Sequence, residues 1–231
     1  MRNYRRYVLR RKRGFINNLS ITNWLILINV IFYFLVIFIS FANPNFLDYI
    51  ALKPSDILHG KNLWTLLTHM FMHAPLFIFH LLFNMLTLFF IGNFVERIIG
   101  RKRYLSFYII SGIISGLFFV FLSLLVGSSY FWGTGLEWQP VGASGALFAV
   151  AGLMTLLTPN LPLYVMFIPI PIKAKYAVPG LLIVMALIAY SGRWPIGNAA
   201  HLGGFICGAV YGFYLRTKYK KKITILNRMF Q

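Results

Sequence analysis

The chain has 231 residues, 59% of them hydrophobic and only 11% charged, yet it carries a formal net charge of +18. Apolar stretches of roughly the 20 residues needed to cross a bilayer recur from Asn23 to Leu215 and nearly exhaust the length, so no sizeable soluble domain remains. An all-α membrane protein is predicted, and any chemistry falls to its helices and loops.

Residues 1–22 form a strongly basic segment, with Arg2, Arg5, Arg6, Arg10, Arg11, Lys12 and Arg13. The apolar stretch that follows, Asn23 to Ala42, is longer than the roughly 7 to 15 residues of a signal-peptide core, and Asn43-Pro44-Asn45 is a poor cleavage site. It therefore reads as a retained helix. Further helices are predicted over Leu76 to Val95, Tyr104 to Val126, Gly142 to Leu157, Tyr176 to Tyr190 and Asn198 to Leu215. One six-helix domain over 23–215 and a basic tail over 216–231 follow. Threading the six segments in alternation puts all of the 22 Lys and Arg residues except Lys53, Lys61 and Arg193 on one side. The positive-inside rule makes that side cytoplasmic, with both termini in the cytoplasm of a plasma-membrane protein. Basic flanks of this kind suit a lipid bilayer and give no reason to invoke nucleic acid.

Cys207 is the only cysteine, which excludes a disulfide framework and a sulfur-rich metal site. His69 and His73 stand four residues apart but lack a third ligand, so neither a metal site nor a cofactor is predicted.

Three polar groups fall at one depth. Helices two, four and six all begin at the outer face, and His80, Ser144 and His201 lie about four, two and three residues into them. At about 1.5 Å per residue they share one layer, within roughly 6 Å of each other in depth. Asn84, four residues after His80, projects from the same face of helix two. On helix six, His201 shares a stripe with Gly204, Gly208 and Gly212, and helix four carries Gly145, Ala149 and Gly152. Stripes of small residues let two backbones approach closely. Taken singly, each residue has a structural reading: Ser144 as a helix cap, the glycines as packing, His80 with Asn84 as a polar clamp between helices. Together they describe a nucleophile, a base and hydrogen-bond donors.

The segments His80-Leu81-Leu82-Phe83-Asn84, Gly142-Ala143-Ser144-Gly145 and Ala200-His201-Leu202-Gly203-Gly204, with Gly208 and Gly212, resemble the signature set of the rhomboid intramembrane serine proteases. The resemblance spans helices two to six in the family's order. It implies a six-helix rhomboid-like bundle with a membrane-embedded loop between helices one and two. It further implies Ser144 as nucleophile, His201 as base, and an oxyanion site that includes His80 and Asn84. Residues 64–79 resemble the embedded loop, although Trp64-Thr65 replaces the family's frequent Trp-Arg. Phe148, one turn after Ser144, stands where the family often has tyrosine and would stack under the His201 ring.

The chemistry stands apart from the resemblance. Histidine can take the serine proton and return it to a leaving amine. The acidic residues are only Asp48, Asp56, Glu96 and Glu137. None follows from helical spacing as a partner of His201, so a dyad is predicted rather than a triad. Asn84, a ring N–H of His80 and the Ser144 amide supply donors for an oxyanion. No aspartate lies within a predicted helix and no His-Glu-x-x-His occurs, which excludes aspartyl and zinc intramembrane proteases. The predicted activity is cleavage of transmembrane protein substrates near the outer face. A catalytically inactive scaffold that binds membrane helices is the alternative.

Overall fold

The structure is a computed structural model that describes residues 19–75, 77–165 and 169–230. Most of the basic amino-terminal segment therefore lies outside the described residues. Helices occupy all six segments drawn from the sequence: α1 (Ile21–Ala42), α5 (Ile78–Ile99), α6 (Arg101–Val126), α7 (Ser144–Leu157), α8 (Ala174–Gly192) and α9 (Asn198–Lys218). Between α1 and α5 the chain forms three short helices, α2 (Phe46–Ile50), α3 (Pro54–Leu58) and α4 (Thr65–Thr68). A two-residue antiparallel pair, β1 (Pro162–Leu163) with β2 (Ile172–Lys173), joins α7 to α8, and α10 (Lys220–Arg228) follows α9.

Among the described residues, α1, α5, α6 and α8 are long and apolar enough by themselves to cross a membrane. The central helix α7 is shorter, at 14 residues, and every residue in it except Ser144 and Leu156 is buried. Helices α1, α6 and α8 turn large apolar side chains outward, among them Phe34, Phe38, Leu125, Ile183 and Leu187. A soluble protein could not expose so much contiguous apolar surface, whereas hydrocarbon tails cover it without cost. Protein therefore surrounds α7 and lipid surrounds the outer helices.

Several boundaries differ from the predicted ones for local reasons. Helix α1 starts two residues early because Ser20 accepts a hydrogen bond from Asn23 N at 3.1 Å as its cap. The carboxylate of Glu96, at the far end of α5, accepts from the N–H groups of Ile21 and Thr22 at 2.9 and 2.8 Å and from the Thr22 hydroxyl at 2.8 Å. Helix α5 starts at Ile78 and runs on to Ile99, with a π-helical turn over Leu88–Gly92. Helix α9 continues three residues past Leu215. The predicted tail is thus helical over most of its length, and Asn227 of α10 donates to the Leu157 carbonyl at 3.0 Å. Pro179 sits inside α8, one turn past the start, where it removes the N–H that would otherwise bond the Lys175 carbonyl.

The segment between α1 and α5 packs on α6 through small residues. A Cβ at Gly116 would stand 3.0 Å from the His69 ring, and one at Gly112 would overlap the Met70 side chain. Both side chains are buried, so two glycines one turn apart on α6 form the seat for this loop.

Candidate active site

Helices α7 and α9 cross with their backbones in contact. A Cβ at Gly208 would lie 2.7 Å from the Ala149 carbonyl carbon, and one at Gly152 would lie 2.5 Å from the Phe205 carbonyl oxygen. A Cβ at Gly204 would lie 3.0 Å from the Gly145 carbonyl carbon and nearer still to its oxygen. Carbon atoms in ordinary contact keep about 3.5 Å or more, so only glycine permits this approach. The two predicted stripes do face each other.

The crossing brings the hydroxyl and the imidazole together: Ser144 Oγ lies 2.8 Å from His201 Nε2. Ser144 is half-buried and opens α7, while His201 is only 5% exposed. The Phe148 ring lies against the His201 ring, with centroids 4.6 Å apart and planes tilted by 32°. Beside them Ser115 of α6 donates to the Ala200 carbonyl at 2.7 Å, tying α6 to the residue before the histidine. The sequence reading missed Ser115; its signal was the Ser111, Gly112, Ser115, Gly116 pattern on one face of α6.

All four carboxylates are engaged elsewhere. Asp48 accepts from Gln139, Asp56 from Asn62 and Glu96 from the first turn of α1, while Glu137 pairs with Lys53. His201 Nδ1 is buried and has no hydrogen-bond partner among the described residues.

His80 approaches from α5. A Cβ at Gly142 would stand 2.8 Å from His80 Nε2 and 3.8 Å from Ser144 Oγ, so the bare Gly142 Cα is what admits the ring beside the serine. Gly142 also has φ +122, which an L side chain rarely adopts. Its N–H donates to the His69 carbonyl at 2.9 Å, which anchors the start of α7 to the segment between α1 and α5. Ala74 N–H donates to His80 Nδ1 across 3.4 Å, a long bond that leaves the proton on Nε2, the nitrogen facing Gly142. The His73 ring packs edge-on to His80 at 5.1 Å.

Asn84 is 6% exposed, and its amide donates to the His80 carbonyl at 2.7 Å. The structure thus joins Ser144, His201 and Phe148, sets His80 beside them at Gly142, and ties Asn84 to His80 rather than to Ser144. No backbone hydrogen bond from the Ser144 N–H occurs among the described residues.

The Rhomboid domain model matches residues 60–218. This chain belongs to the rhomboid family. It is 31% identical over 230 residues to Rhomboid protease AarA of Providencia stuartii, a match covering 90% of this chain and 77% of that protein. It is 37% identical over 166 residues to RHOMBOID-like protein 1 of Arabidopsis thaliana, covering 71% of this chain and 37% of the relative. Against Rhomboid protein 1, mitochondrial, of Saccharomyces cerevisiae the identity is 30% over 149 residues, or 62% of this chain and 40% of the other. The chain therefore spans well under half the length of the plant and yeast relatives. As a rhomboid with several apolar helices it is a multi-pass membrane protein.

Proposed function

We propose that this rhomboid is an intramembrane serine endopeptidase in which Ser144 is the nucleophile and His201 its general base. The observation that carries the reading is the 2.8 Å contact between Ser144 Oγ and His201 Nε2 across two helices held at backbone distance. His201 Nε2 removes the hydroxyl proton as Oγ attacks the scissile carbonyl carbon, and a tetrahedral oxyanion forms. The oxyanion is met by His80 Nε2–H, the Ser144 N–H and the second N–H of the Asn84 amide, the first being engaged by His80. Collapse breaks the C–N bond, and the imidazolium delivers the same proton to the leaving amine. Water, activated by the neutral His201, then hydrolyses the acyl-enzyme and regenerates both groups.

A dyad rather than a triad is supported by the engagement of all four carboxylates elsewhere. Phe148 does the orienting through its ring face. The substrates are transmembrane segments of other membrane proteins, cut near the outer face of the plasma membrane. All six helices drawn from the sequence would cross the bilayer within one domain over 23–215, the termini lying in the cytoplasm as the basic residues favour. No cofactor enters this chemistry.

The competing reading is an inactive rhomboid-like scaffold. It is disfavoured because a scaffold has no use for a serine hydroxyl held at hydrogen-bond distance from a buried imidazole. The deciding experiment is cleavage of a reporter transmembrane substrate in liposomes by the wild type, Ser144→Ala and His201→Ala. Loss of product in both variants with folding intact is the expected result; undiminished cleavage by Ser144→Ala would sink the mechanism.

A further inference from the structure

The end of the bundle opposite Ser144 and His201 carries a cavity that peptide hydrolysis does not use. It has a volume of about 500 Å³ and opens where the ends of α5, α7 and α9 meet α10. Phe94, Ile98, Leu157 and Leu215 make an apolar floor, and Ile223 and Leu226 of α10 close one wall. Three cations, Arg97, Arg103 and Lys222, stand on its rim, all of them exposed.

Nothing in the described protein neutralises them. Of the four acidic residues in the sequence, Asp48, Asp56 and Glu137 are engaged in loops at the other end. Glu96 is buried beneath the first turn of α1, and the cation nearest to it is Arg101, at 3.9 Å. Among the described residues no rim cation takes part in an ion pair. Arg103 is instead held at the mouth by Tyr219, whose hydroxyl lies 3.4 Å from the guanidinium and whose ring centroid lies 5.7 Å away. Helix α10 buries Ile223 against the bundle and presents Lys220, Lys221 and Lys222 outward, the pattern of a helix lying in a membrane interface.

An apolar floor under a cationic rim, at the level where a bilayer has its headgroups, matches one ligand chemistry. A soluble anion would leave the floor wet, and a neutral lipid or apolar peptide would leave three charges uncompensated. We propose that this cavity binds an anionic phospholipid. Its phosphodiester sits among Arg97, Arg103 and Lys222, and an acyl chain fills the floor, fastening α10 to the bundle. The volume lies within the roughly 300–1,000 Å³ of ordinary ligand pockets. The site is independent of the proteolytic reading.

The test uses the full chain, stripped of lipid in a neutral detergent, with phosphatidylglycerol, phosphatidylcholine or inorganic phosphate added back. Retained lipid is counted by native mass spectrometry, and thermal unfolding is followed in parallel. Phosphatidylglycerol should be retained as one molecule and should raise the melting temperature, whereas phosphatidylcholine and inorganic phosphate should do neither. The double variant R103Q/K222Q should bind phosphatidylglycerol about tenfold more weakly or worse, as expected for two lost headgroup cations. The variant K102Q/K221Q removes the same charge outside the cavity and should bind as the wild type does. Leu226→Trp fills the floor with the rim intact and should also displace the lipid, which separates binding from any loosening of α10 by the charge changes. Equal losses in the two double variants, equal retention of phosphatidylcholine, a full shift with phosphate alone, or undiminished binding by Leu226→Trp would each overturn the proposal.

Discussion

Replacing Gly204 by alanine puts a methyl group into the closest part of the α7–α9 crossing. Its Cβ would stand 3.0 Å from the Gly145 carbonyl carbon and 3.3 Å from Ala149 N, with the Gly145 oxygen closer still. These are backbone atoms of a buried helix and cannot rotate aside, so the helices must part by about 1 Å to restore contact distances. Separation of that size would stretch the Ser144 Oγ to His201 Nε2 contact from 2.8 Å to nearly 4 Å, beyond hydrogen-bonding range. A misplacement of about 1 Å at reacting groups can cost about 100-fold in rate, or about 2.7 kcal/mol of barrier. Overpacking alone costs about 1–3 kcal/mol of stability, or roughly 2–12 °C in melting temperature for a chain of this size. The assay is kcat on a reporter transmembrane substrate in liposomes, with thermal unfolding measured on the same preparations. Gly180→Ala is the reference, because a methyl there meets nothing within 4 Å. Wild-type kcat together with wild-type melting for Gly204→Ala would refute the claim that backbone contact between α7 and α9 sets the geometry of the dyad.

Three further outcomes are expected. Phe148→Tyr keeps the ring face against His201 and should cleave nearly as the wild type does, whereas Phe148→Ala should lower kcat by up to about tenfold, the worth of one aromatic stacking contact; equal activities would remove Phe148 as the orienting group. Glu96→Ala leaves the N–H groups of Ile21 and Thr22 without their acceptor and should cost at least about 3 kcal/mol in thermal unfolding, at hydrogen bonds worth about 1.5–3 kcal/mol each to a charged group. A melting temperature unchanged in that variant would show that the carboxylate does not cap α1. His69, in the segment between α1 and α5, is held by burial at a pKa of about 4 against its ordinary 6.5. The unfolded chain takes up that proton first, so stability is full at neutral pH and falls as pH drops from 6.5 towards 4, by up to about 1.4 kcal/mol per unit. Melting followed through that window should show the decline in the wild type and a shallower one in His69→Gln; parallel profiles would mean that His69 does not carry it.

Much of the site was legible in the sequence because it is local in character. The three polar signatures each open a helix, so counting residues from the helix starts was enough to set His80, Ser144 and His201 in one layer. The glycine stripes were legible for the same reason, since a spacing of three or four residues defines a helix face whatever it meets. Gly142 was legible only as part of a motif; that its missing side chain admits the His80 ring depends on how α5 is placed. Ser115 and the Gly112–Gly116 seat for His69 and Met70 went unread, because each acts on a segment distant in sequence and neither differs by itself from ordinary helix packing. Asn84 projects from the His80 face as its spacing requires, but its amide is tied to the His80 carbonyl, a choice of rotamer that periodicity does not specify.

Hydropathy, the distribution of Lys and Arg and the shortage of carboxylates are sums over residues, and they alone establish a multi-helix membrane protein with only four acidic residues from which a triad could draw. Contact is a different kind of quantity. That Ser144 meets His201, that Glu96 caps a helix some 75 residues earlier, and that three cations ring an apolar cavity at the basic end all depend on which faces pack together. Those pairings are decided by the fit of one backbone against another, and that fit exists only when all the helices are in place.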